Sequence, residues 1–164
     1  MGNTFHYNAR PDLEEIDMSN GLTSVFVAVL SMAMSSVSTE NWQKRFAVCI
    51  ASLDQWVIGS GTILFDIGSL PWSKQNLEEE RSFMLRAIDA ALDKTGWDRL
   101  SYKPREETVN ECLLQLKVLI TAFSAEHIAP SVSAMGTAGK PEHFDFCARH
   151  GVYKHNYGCI VCND

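Results

Sequence analysis

Leu22–Val37 reads LTSVFVAVLSMAMSSV, the most apolar stretch of the 164-residue chain. The fold class turns on whether this stretch crosses a membrane or fills a core. A helical span needs about 20 predominantly apolar residues. This one has sixteen, interrupted by Ser24, Ser31, Ser35 and Ser36, and no cluster of Lys or Arg flanks it. It therefore reads as a buried core helix, with Ser19-Asn20-Gly21 supplying cap chemistry at its start. The N-terminus shows no basic region leading into an apolar one, so it does not read as a secretory leader.

The chain on either side agrees with a helical body. Trp42, Phe46, Cys49, Ile50, Leu53 and Val57 recur at spacings of three and four, which is one face of a helix that Gly59-Ser60-Gly61 ends in a turn. A further helix runs from a Ser73 cap to Gly96, with Leu77, Met84, Ile88, Ala91 and Leu92 on its apolar stripe. Glu78-Glu79-Glu80 near its start and Lys94 near its end suit the helix dipole. Trp97–Pro104 is a loop with two aromatic anchors. The most regular helix follows, with Val109, Cys112, Leu113, Leu116, Leu119, Ile120 and Phe123 on one stripe. Leu114 and Val118 lie off that stripe and suggest burial on a second side. The first ten residues read as mobile, Pro11–Ile16 as a short helical turn, and Thr62–Pro71 as an apolar connection lacking a strand partner. The expectation is an all-α fold: a bundle of about four helices over 1–123, an Ala/Ser/Gly/Pro-rich linker over 124–141, and a small zinc knuckle over 142–164.

The C-terminal segment carries the one chemical signature. Cys147, His150, Cys159 and Cys162 are spaced C-x2-H-x8-C-x2-C. Two-residue gaps let each pair bend around one ion, and Gly151 and Gly158 flank the pairs where a tight turn needs them. Three thiolates and an imidazole form the closed tetrahedral set that structural zinc takes. His150 completes the first pair, with His155 and His143 as alternatives for the fourth ligand. The GVYKHNYG gap, 151–158, can fold as a short hairpin carrying Tyr153 and Tyr157. These residues resemble the knuckles of zinc-ribbon and treble-clef modules, with His150 in place of the second cysteine of the first knuckle. The resemblance covers about the last twenty residues. It implies metal, and it is compatible with nucleic-acid binding, protein interaction or simple stapling.

No catalytic signature accompanies it. The chain has no G-x-S-x-G elbow, no P-loop and no H-E-x-x-H. Cys49 and Cys112 sit on apolar stripes as core thiols, and Glu126-His127 reads as a surface pair. Five cysteines without a leader argue for a reduced, cytoplasmic setting. The net charge of −6 argues against a non-specific binder of DNA or anionic membrane. Residues 1–139 hold 11 Lys+Arg against 17 Asp+Glu, so the excess lies on the helical body. An acidic body suits a basic protein partner. In kind, the chain looks like the small bacterial immunity proteins that neutralise toxins. That likeness implies a non-enzymatic, cytoplasmic protein-binding module that masks a basic toxin domain, with Glu78, Glu79, Asp89 and Asp93 as candidate contacts. The alternative is a zinc-containing, nucleic-acid-associated regulator acting through Arg149 and Lys154. No membrane association is expected.

Overall fold

Asn20–Val37 forms helix α1, the central element of the computed structural model, which describes residues 2–58, 62–128 and 143–163. The Ser19 side chain accepts the Leu22 N–H at 3.2 Å, supplying one of the partners that the first turn lacks. By length and composition α1 could cross a membrane, yet 61% of it is buried inside the protein. A helix apolar on all sides needs cover on all sides. Helices α2 (Asn41–Ala51), α4 (Leu77–Leu92) and α5 (Glu106–Ala122) pack on it, as does the C-terminal segment.

The run expected from Trp42 to Val57 is broken. It stops after Ala51, and a single turn, α3 (Gln55–Ile58), restarts it. The Asp54 carboxylate accepts the Trp56 N–H at 3.0 Å and so begins the new turn. Trp56 and Val57 consequently face solvent. The Gly59-Ser60-Gly61 turn lies outside the described residues.

The fold is not purely helical. Strands β1 (Asn3–His6), β2 (Ile16–Met18) and β3 (Leu64–Asp66) form a sheet in the order β2-β1-β3. β1 pairs antiparallel with β2, Thr4 opposite Asp17, and parallel with β3, Phe5 opposite Phe65. The first residues are thus the middle strand of a sheet, not a mobile arm. Ile16 belongs to a strand, not a helical turn, and the partner of the 64–66 strand is β1. Period-two burial explains it: Asn3, Phe5 and Tyr7 point inward while Thr4 and His6 are half-buried. Phe5 meets Phe26 of α1 edge-to-face at 5.4 Å. Asn3, fully buried, ties β1 to α1, to α3 and to the residue preceding β3. Its Oδ1 accepts the Ile63 N–H at 2.7 Å, and its Nδ2 reaches Thr23 Oγ1, Asn20 Oδ1 and Gln55 Oε1 at 2.8, 3.0 and 3.2 Å.

Helix α4 is capped at Asn76 rather than Ser73. Ser73 has another role: Glu80 turns inward and takes the Ser73 N–H and Oγ–H at 2.8 and 2.9 Å. The stripe on α5 is buried as its spacing indicates, from Val109 to Phe123. Leu114 and Val118 are 52% and 55% exposed, so α5 has one buried side, not two. Arg81 closes its C-terminal end by donating to the carbonyls of Ile120 and Phe123. Beyond it, Ala125–His127 makes one 3-10 turn. Glu126 and His127 are both exposed, as expected, and His127 Nδ1 meets the Tyr7 hydroxyl at 2.5 Å. The rest of the expected linker, 129–141, lies outside the described residues.

Candidate metal centre

The C-terminal segment opens with a hairpin of β4 (Phe146–Cys147) and β5 (Val152–Tyr153), Cys147 opposite Val152. Its turn brings His150 back over Cys147, and the Gly151 N–H donates to the Cys147 carbonyl at 2.7 Å. Gly151 has φ +67, and a Cβ there would lie 1.9 Å from Arg99 Nη1. Only glycine fits that corner without displacing the arginine. A second tight turn, His155 bridged to Gly158 at φ +111, delivers Cys159 and Cys162 to the same point.

Four donor atoms converge there. His150 Nδ1 lies 3.2 Å from Cys162 Sγ and 3.7 Å from both Cys147 Sγ and Cys159 Sγ. Cys147 and Cys162 sulfurs are 3.8 Å apart, and all four atoms lie within 4.8 Å of one another. A tetrahedral ion with metal–sulfur bonds of about 2.3 Å and metal–nitrogen bonds of about 2.0 Å has S···S edges of about 3.8 Å and S···N edges of about 3.5 Å. The four edges given lie near these values, so the cluster could hold a metal ion, consistent with zinc. His143 stands outside, exposed and paired with Asp145 at 2.8 Å. His155 faces away to a different partner.

The local electrostatics suit ligation. Burial holds the His150 imidazole below its ordinary value, with the charges of Arg149 and Arg99 acting in the same direction. The neutral ring is the form that offers a lone pair to a metal. Burial opposes ionisation of Cys147, but backbone N–H groups of His150 and Arg149 and the neighbouring thiols outweigh it and hold its thiol down. Burial pushes Cys159 up to about 12. A cation at the centre would reverse that balance.

The segment is docked on the helices. Buried Asp54 and His155 meet at 2.8 Å, with side chains 1% and 2% exposed. The Tyr157 N–H donates to His155 Nδ1 at 3.1 Å, so Nε2 carries the proton given to Asp54. Asn163 Nδ2 reaches the same carboxylate oxygen at 2.9 Å. The Tyr153 N–H donates to Ser35 Oγ at 3.1 Å, and Arg99 Nη1 donates to the His150 carbonyl at 3.3 Å. Val152, Ile160 and Val161 join the apolar core of the body.

Comparison of the chain with protein families, with characterised proteins and with solved structures found no match. The site's own chemistry therefore carries the functional argument.

Sequence reasoning gave Asp54, Ser35, Arg99 and Asn163 no role at the site, and the helical spacing that would leave Asp54 on the surface is overturned by its burial. Each is an ordinary polar residue whose partner is remote; Asp54 and His155 are 101 positions apart. The two thiols outside the quartet are inert by environment. Burial pushes Cys49 up to about 11, and burial followed by the Glu111 charge raises Cys112.

Proposed function

We propose that the chain is a non-catalytic, cytoplasmic protein-binding module built on a structural zinc centre, and that it acts as an immunity-type or antitoxin-like inhibitor of a basic protein. The observation that carries the reading is the closed Cys147–His150–Cys159–Cys162 quartet. Four protein donors satisfy a tetrahedral zinc and leave no position for substrate water, so the metal's role is to hold structure. Zinc would also serve folding directly, since structural sites contribute roughly 10–16 kcal/mol of apparent binding free energy in zinc-finger peptides.

The net charge of −6 favours a cationic partner. The exposed acidic residues of α4 and its C-cap Asp93 are the proposed contact. Two of them already have intramolecular partners: Glu78 with Arg81, and Asp89 with Lys117 at 2.6 Å. Glu79 and Asp93, both exposed, are therefore the first to change. Native mass spectrometry of the protein drawn gently from its host tests the reading. The expected species carries one zinc and one basic protein, and the E79K/D93K double variant loses the partner while keeping the zinc. A zinc-bound chain that takes up nucleic acid in a salt-dependent manner, or that turns over a substrate, would replace this reading.

A further inference from the structure

The three sulfurs of the quartet are not equivalent. Cys147 and Cys159 are buried, while Cys162 is exposed. Cys162 forms part of the wall of a cavity of ≈ 280 Å³, together with Arg99, Ser101 and Arg149. A water molecule occupies about 30 Å³ in the liquid, so a small peroxide fits. Both guanidinium-bearing residues are exposed at this cavity, in a chain whose overall charge is negative. Electropositive, accessible surroundings are where protein sulfur reacts. The Cys162 and Cys147 sulfurs lie 3.8 Å apart. A disulfide is about 2.05 Å long, so closure needs a movement of under about 2 Å, within reach of a side-chain rotation.

We propose that the centre is a site of oxidation by hydroperoxides, in which Cys162 takes the oxygen, Cys147 closes a disulfide onto it, and the metal is released. This rests on the zinc reading above. The Cys162 thiolate attacks one peroxide oxygen, and the O–O bond breaks. Hydroxide (alkoxide from an organic peroxide) leaves beside the arginines, whose charges stabilise it, and Cys162 becomes a sulfenic acid. The Cys147 thiolate then attacks the Cys162 sulfur, the S–O bond breaks, and a second hydroxide leaves. Two thiolates lose two electrons, and one hydrogen peroxide becomes two hydroxide ions. Cys159 and His150 remain as only two donors, too few to retain zinc.

The experiment uses the full chain, purified without oxygen and loaded with zinc, then given stoichiometric hydrogen peroxide. Released zinc is followed with a colorimetric chelator, and non-reduced peptides are mapped by mass spectrometry. The expected result is one zinc released per chain, with a Cys147–Cys162 disulfide. Cys162→His keeps four nitrogen and sulfur donors and should slow release roughly tenfold or more. If that variant does not load zinc, Arg99→Ala/Arg149→Ala leaves all four ligands in place and should slow release in the same direction. Zinc retained under peroxide, a disulfide through Cys159, or unchanged release in the variants overturns the proposal. A chain that never holds zinc yet forms the Cys147–Cys162 disulfide contradicts the metal reading and supports the sulfur pairing. A zinc-loaded chain that resists peroxide does the reverse.

Discussion

Replacing Asp54 by alanine should separate the C-terminal segment from the helical body. The carboxylate accepts three hydrogen bonds: from His155 Nε2 at 2.8 Å, Asn163 Nδ2 at 2.9 Å and the Trp56 N–H at 3.0 Å. The bond from His155 to a charged, buried acceptor contributes about 1.5–3 kcal/mol, and that from Asn163 about 1 kcal/mol. Loss of the cap on α3 adds about 1 kcal/mol. Asp54→Ala should therefore cost about 4 kcal/mol in urea unfolding of the metal-loaded protein. The loss should be local, so amide exchange should rise over 55–58 and 152–163 before it rises in α1 or α5. A double-mutant cycle with His155→Ala isolates the pair and should show a coupling of about 1–3 kcal/mol. A cost below about 1 kcal/mol, or additive single variants, would refute the view that this pair fastens the segment.

Phe5→Ala should destabilise by about 3–5 kcal/mol, because a fully buried ring on the middle strand leaves a cavity between Phe26 and Phe65; calorimetry checks it. A mobile N-terminus would give almost no change. Gly151→Ala should weaken metal retention against a chelator, since its Cβ displaces Arg99 and its φ of +67 is strained for alanine. Equal chelator half-lives for the two proteins would contradict this. Burial raises the Cys49 thiol from 9.0 to about 11, so the folded state keeps its proton longer than the unfolded one. That contribution to stability is present below pH 9 and is lost as pH rises to 11. Urea midpoints of wild type and Cys49→Ala should therefore converge over that window, and parallel curves would be evidence against it.

The sequence was most legible where the pattern was long or the chemistry local. The α5 stripe lies on a helix of seventeen residues, and the quartet lies within sixteen positions of one chain segment. In both cases neighbouring residues carry the whole signal. Length and serine content alone do not decide the role of Leu22–Val37, since α1 could cross a membrane on both counts; its burial in the body is what marks it as a core helix, and Ser35 within it accepts the Tyr153 N–H. The sheet was illegible because its strands are three or four residues long and their partners are distant. Asn3 looks like a polar terminal residue until Ile63, sixty positions later, supplies its partner. Leu114 and Val118 failed for the converse reason, since apolar residues off a stripe are common on surfaces. The break at Asp54 was hidden by periodicity that continues through it; only the segment docked against it shows why the helix stops.

X-ray absorption at the zinc edge, on the chain purified under reducing conditions, tests the central claim most directly. The account predicts one zinc per chain with three sulfurs at about 2.3 Å and one nitrogen at about 2.0 Å. A shell dominated by oxygen and nitrogen, or a fully reduced and folded chain that takes up no zinc, would contradict it.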